Sequence, residues 1–120
     1  EQRAFASCSL KSVTLPQGIK SLEKELFNYS GLTSITIPEG VTIIGEGAFG
    51  GCRNLTSVTI PEGVTTIGEA AFGGCINLTN VEIPKGVKNI EDGAFSNCNL
   101  TSVTIPEGVT SIGCYTFSGF

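Results

Sequence analysis

A single spacing dominates this chain. Its five prolines, Pro16, Pro38, Pro61, Pro84 and Pro106, stand 22 or 23 residues apart, and Leu10, Leu32, Leu55, Leu78 and Leu100 keep the same rhythm. Six of the seven phenylalanines follow it too, from Phe5 through Phe27, Phe49, Phe72 and Phe95 to Phe117. A period in this range marks a solenoid, in which each repeat is one coil that buries its apolar side only against its neighbours. Written from Leu55 to Asn77, one unit reads L-T-S-V-T-I-P-E-G-V-T-T-I-G-E-A-A-F-G-G-C-I-N. About five units of 22–23 residues fill 1–120 as one domain, cut at both ends inside a repeat and without a linker. The chain opens Glu1-Gln2-Arg3 with neither an initiator methionine nor a signal segment, so it reads as a stretch of a longer array.

The physics of one unit predicts its path. Leu55 to Ile60 ends in strict alternation, which fits a strand with one buried face. Ile60-Pro61-Glu62-Gly63 offers proline at the second place and glycine at the fourth of a type I turn. Val64 to Ile67 reads as a second short extended segment with Val64 and Ile67 pointing inward. Gly68 allows a corner, and Ala71-Phe72 fits a tight helical turn that drops a large ring into the core. Stacked coils then place like residues in ladders, with parallel strands roughly 4.8 Å apart. The expected class is a mostly β repeat solenoid.

The pattern L-x-x-[VI]-x-[IL]-P-x-G-[VI]-x-x-[IL]-x-x-x-[AL]-F-x-x-C resembles the BspA-like, or Treponema pallidum-type, leucine-rich repeat over all 120 residues. It departs at Ser30, which stands at the position of Cys8, Cys52, Cys75 and Cys98, and at Phe120, which also stands there. Leu26 and Thr116 replace the alanine before the ladder phenylalanine. The resemblance implies a right-handed coil with a parallel sheet on one side and short extended segments and tight helical turns on the other. It also implies a cell-surface or secreted parent protein that adheres to host or extracellular-matrix proteins.

Composition narrows the function from the other side. Eleven acidic against seven basic residues leave a net charge of −4, which opposes nucleic-acid binding and docking on an anionic membrane. No apolar run approaches the roughly 20 residues that span a bilayer, so no membrane insertion is expected. Histidine is absent, which removes the Ser-His-Asp triad, the Cys-His pair and His-ligated zinc. The hydroxyls have no base beside them, so the chain reads as no enzyme, with no cofactor and no metal.

Four cysteines share one ladder position three residues after a core phenylalanine and read as buried free thiols packing as small hydrophobes. Cys114 falls instead at the position of Lys24, Glu46, Glu69 and Asp92, and is expected at the surface, where intermolecular oxidation is chemically feasible. The sequons at Asn54, Asn77 and Asn99 are the repeat's own N-L-T, whose asparagine reads as a turn residue, and Asn28 begins a fourth. The rows Glu39, Glu62, Glu107 (broken by Lys85) and Glu46, Glu69, Asp92 read as solvated surface.

With Leu55, Val58 and Ile60 inward, the outward ladders are Ser12, Ser34, Ser57, Asn80, Ser102 and Thr14, Thr36, Thr59, Glu82, Thr104. Such a face is flat and rich in short hydroxyls, of the kind solenoids offer to protein partners. The candidate partner-binding set is Ser34, Thr36, Ser57, Thr59, Asn80, Glu82, Ser102 and Thr104. Glu82, Lys85 and Lys88 make the fourth unit the most individual. Two other roles fit the same residues: a stiff spacer in a surface protein, and end-to-end self-association through the apolar coil ends at Phe5, Phe117 and Phe120.

Overall fold

Alternating residues in each unit place one side chain in the core and the next in water, and the backbone extends accordingly. In the computed structural model, which describes Leu15 and residues 17–101 and 103–117, seven short strands result. They are β1 (Ser21–Leu22), β2 (Ser34–Thr36), β3 (Ile43–Ile44), β4 (Ser57–Thr59), β5 (Thr66–Ile67), β6 (Asn89–Ile90) and β7 (Ser111–Ile112). All pairings are parallel. Five strands form one sheet in the order β1-β3-β5-β6-β7, with Leu22, Ile44, Ile67, Ile90 and Ile112 in register.

That sheet belongs to the second extended segment of each unit, not to the Leu-to-Ile segment expected to carry the main one. The first segment yields the pair β2–β4, with Ile35 beside Val58, and a single bridge from Ser57 to Asn80. The proline turn also sits one residue later than expected. Its closing bond runs from the Val64 N–H to the Pro61 carbonyl at 3.2 Å, and Val41 to Pro38, Val87 to Pro84 and Val109 to Pro106 repeat it. Proline is therefore the first residue of the turn. It has no N–H to leave unsatisfied there, while its carbonyl accepts.

The helical turn expected around Ala71-Phe72 does not form; no helix occurs among the described residues. The segment alternates instead. N–H groups of Leu26, Asn28 and Ser30 bond to carbonyls three residues back, while those of Glu25, Phe27 and Tyr29 reach Glu46, Ala48 and Gly50 of the next coil, each at 2.8 Å. Gly47, Phe49 and Gly51 continue to Glu69, Ala71 and Gly73, and Ala70, Phe72 and Gly74 to Asp92, Ala94 and Ser96. This alternation goes with positive φ at two rows, one occupied by Glu25, Gly47, Ala70, Gly93 and Tyr115 and the other by Tyr29, Gly51, Gly74 and Asn97. A helix would keep those donors within its own turn. Here they bind one coil to the next.

Between sheet and turns lies the core. Phe27, Phe49, Phe72, Phe95 and Phe117 stack with ring centroids 5.1–5.8 Å apart and planes within 12°, in the range of favourable aromatic contacts. Leu32, Leu55, Leu78 and Leu100 are buried beside them. Cys52, Cys75 and Cys98 are buried free thiols and Cys114 is exposed, as their ladder positions predict; Cys8 lies outside the described residues. Each buried thiol does more than fill space. Cys52 donates to the Phe27 carbonyl and Cys98 to that of Phe72, both at 3.1 Å.

Candidate functional site

Two sides of the solenoid are tied by hydrogen bonds from coil to coil throughout, and a third only in part. On the five-stranded sheet, threonine stitches the backbone twice over. The N–H and hydroxyl of Thr65 both donate to the Thr42 carbonyl, and those of Thr42 and Thr110 both donate to the carbonyls of Lys20 and Lys88. Ser111 donates to the Asn89 side chain at 2.8 Å. Much of the hydroxyl capacity of that face is therefore used within the protein.

The β2–β4 face differs. Ser34, Thr36, Ser57, Thr59, Asn80, Glu82 and Thr104 are all exposed there; Ser102 lies outside the described residues. None of the hydroxyls of Ser34, Thr36, Ser57, Thr59 and Thr104 bonds to another described group. Exposed and uncommitted, they are free to bond outward. The neighbouring Thr56 and Thr101 hydroxyls, by contrast, donate to the Thr33 and Thr79 carbonyls.

The predicted residues do not all lie together. Ser34 and Thr36 sit on the flat β2–β4 pair, whereas the remaining described ones line two clefts where pairing lapses. A small cleft of about 250 Å³ holds Ser57, Thr59, Asn80 and Glu82. A larger one of about 880 Å³ lies between the fourth and fifth units, bounded by Asn80, Glu82, Lys85, Thr104 and Glu107. Inter-coil bonds reach Thr101, whose N–H meets the Thr79 carbonyl at 3.2 Å, and no strand pairing follows on this face among the described residues. The fifth unit has one residue fewer between Cys98 and Leu100 than the fourth has between Cys75 and Leu78. Its Val103 and Ile105 are half-buried, while the matching Val81 and Ile83 are buried.

Asn80 and Glu82 border both clefts. These are the positions where the fourth unit breaks the serine and threonine ladders, so its individuality was visible in the sequence. The clefts themselves were not. Among the described residues, no group of three or more Cys, Asp or Glu is placed to hold a metal ion, and no helix is long and apolar enough to cross a membrane.

The family description "BspA type Leucine rich repeat region" matches residues 1–120 in six copies, the same number as the phenylalanines in register. The chain belongs to the BspA-type leucine-rich repeat family. No curated protein matches it. Among solved structures it is similar to a leucine-rich repeat protein from Bacteroides ovatus, 39% identical with a TM-score of 0.78 over 82% of this chain and 26% of that one. It is also similar to the T. pallidum leucine-rich repeat protein, at 29% identity and a TM-score of 0.85 over 94% of this chain and 55% of the other. The pneumococcal vaccine antigen PcpA matches at 27% identity and 0.83, over 91% of this chain and 28% of the antigen. The BspA-type chain thus spans from about a quarter to about half the length of these proteins.

Proposed function

We propose that the chain is a non-catalytic protein-interaction module of a cell-surface or secreted protein, adhering to host or extracellular-matrix proteins through the β2–β4 face. The observation that carries this reading is the contrast between the two faces. Ser34, Thr36, Ser57, Thr59 and Thr104 present five hydroxyls that no described group engages, whereas the strands of the five-stranded sheet present only those of Ser21 and Thr66, the Ser111 hydroxyl being held by Asn89. Family membership and the likeness to a vaccine antigen support a surface role. Contacts of this kind are individually weak, and repetition along an array multiplies them.

The test is to immobilise the chain under mild reductant and present extracellular-matrix and plasma proteins, beside the double variant Thr36→Arg/Thr59→Arg. Saturable binding lost in the variant supports adhesion through this face. Binding that the variant retains removes the face, and no binding by any protein favours the spacer.

End-to-end self-association has its own observation. Ile112 in the last described coil is 48% exposed while Ile90 is 1% exposed, a position that either a further coil of a longer array or a second copy would cover. Sedimentation showing a single monomeric species at high concentration, with and without reductant, rejects that reading.

A further inference from the structure

Three thiols stand in a column inside the solenoid. Cys52, Cys75 and Cys98 hold the same position in three successive coils, and each is buried and free. All three make the same pair of contacts. The N–H bonds to a phenylalanine carbonyl of its own coil, and the thiol donates to the phenylalanine carbonyl one coil earlier, at 3.1 Å each time. Equal contacts give the side chains equal directions, so the sulfurs follow one another at the coil repeat, about 4.8 Å in a parallel ladder. The neighbouring phenylalanine rings keep nearly that repeat, with Phe72 5.1 Å from Phe49 and 5.3 Å from Phe95. Ser30, also buried, continues the column with its Oγ 3.5 Å from the Cys52 sulfur.

That repeat decides what the thiols can bind. A disulfide needs its Cβ atoms about 3.8 Å apart, and Cβ atoms that point the same way from successive coils are too distant for it. The N–H groups of Phe49 and Gly51, bonded at 2.7 Å to Ala71 and Gly73 of the next coil, resist the shift that would close the gap. Zinc needs a tetrahedron of ligands, which a straight column does not offer. A soft cation that takes two sulfurs in line needs neither. With metal–sulfur bonds of about 2.3 Å it spans about 4.6 Å from one sulfur to the other, close to the coil repeat.

We propose that two adjacent ladder thiols, Cys52 with Cys75 or Cys75 with Cys98, form a two-coordinate site for a soft divalent cation of the mercuric class. Thiolate is the soft ligand such ions select. Two S–H bonds break, two metal–sulfur bonds form, and the two protons leave to solvent. The divalent ion and two thiolates sum to zero charge, which a buried apolar site tolerates. A monovalent silver or copper ion on the same pair would leave one negative charge beside the phenylalanine carbonyls. Cys75 belongs to both pairs, so the three thiols take one ion at a time. Entry needs a local opening of the stacked turns, which makes uptake slow. The site lies in the core, so its failure leaves the adhesive face untouched.

The test uses the full 120-residue chain carrying Cys8→Ser and Cys114→Ser, which leaves the three ladder thiols alone. Ser30 already stands in this ladder, so serine is a fitting replacement within it. Mercuric chloride is added in the presence of N-acetylcysteine as competitor. Binding is read by native mass spectrometry and by mercury–sulfur charge-transfer absorption in the ultraviolet. The expected result is one mercuric ion per chain, taken up with the circular dichroism of the fold retained. Cys52→Ser and Cys98→Ser each leave one adjacent pair and should stay within threefold of the parent. Cys75→Ser leaves Cys52 and Cys98 two coils apart and should bind at least tenfold more weakly. The double variant Cys52→Ser/Cys98→Ser leaves Cys75 alone and should show the same loss, which keeps the test decisive if Cys75→Ser does not fold. In concentrated urea Cys75→Ser should bind as the parent does, because an unfolded chain can bring any two thiols together. Equal binding by the folded Cys75→Ser chain, or uptake only with loss of the dichroism, overturns the inference. A disulfide formed between adjacent ladder thiols when the folded chain meets glutathione disulfide overturns it too, because the sulfurs would then stand closer than the site requires.

Discussion

The thiol of Cys75 donates to the carbonyl oxygen of Phe49, 3.1 Å away and 26 residues earlier in the chain. The same carbonyl accepts the N–H of Cys52 at 3.2 Å, so one oxygen closes a turn in its own coil and holds the next coil to it. A small side chain with a donor at this corner is what the ladder position selects. Cysteine supplies it with little polar surface to bury.

The neighbouring sulfurs of Cys52 and Cys98 and, after them, burial push the Cys75 thiol above its ordinary range, while the same coupling lowers Cys52 and Cys98. The folded chain therefore keeps this proton to higher pH than the unfolded chain does. Unfolding releases it once pH exceeds about 8.5, and stability falls from there by about 1.4 kcal/mol per pH unit. The lowered thiols of Cys52 and Cys98 add stability only up to about pH 8.5, so urea midpoints at pH 9 and 10.5 should show that decline in the native chain and a shallower one in Cys75→Ala. Parallel decline in the two proteins would mean that Cys75 is not the group responsible.

Thiol reagents should separate the cysteines by position. Cys114 is exposed and should be modified at once in the native chain, while Cys52, Cys75 and Cys98 should react only as fast as the chain opens. Mapping the labelled peptides by mass spectrometry over time checks this, and early labelling of Cys75 would contradict the buried ladder.

Phe72 lies between Phe49 and Phe95, with centroids at 5.1 and 5.3 Å. Phe72→Ala removes a wholly buried ring from the middle of the stack and should lower stability by about 3–5 kcal/mol. A loss below about 1 kcal/mol in urea titration would show that the neighbouring coils collapse into the gap.

Two substitutions of opposite sign probe the turn ladder. Ala70 holds φ at 53° where its counterparts in the two neighbouring units are Gly47 and Gly93, so Ala70→Gly should stabilise the chain by up to about 1 kcal/mol after the entropic cost of glycine. Gly68 packs so closely on the preceding coil that a Cβ would sit 2.7 Å from the Ile44 carbonyl oxygen. Gly68→Ala should therefore cost about 1–3 kcal/mol. Thermal melts of the two variants should move in opposite directions.

Much of the architecture was legible because a solenoid writes its packing into its period. Phenylalanine, leucine and cysteine recur at one spacing, and each does stack on its own kind. The turn between Gly68 and Cys75 was misread as helical for a physical reason. A proline-free Ala-Phe segment looks locally like a helical turn, but the gain from bonding alternate N–H groups to the next coil exists only once coils are stacked. The first segment does form the parallel β2–β4 pair, but its pairing extends less far than that of the second, because alternation reports which face is buried and not which strands stay paired. The outward positions of Thr36 and Thr59 follow directly from that alternation. The clefts beside Asn80 and Glu82 arise where adjacent coils part, a property of the stack rather than of any one unit.

Amide hydrogen exchange on the chain, free and bound to a captured matrix or plasma protein, tests the choice of face most directly. Protection gained at Ser34–Thr36, Ser57–Thr59 and Asn80–Ile83, with exchange at Thr42–Ile43, Thr65–Thr66 and Lys88–Asn89 unchanged, is the expected result. Protection gained on the five-stranded sheet with none on the β2–β4 side would contradict it.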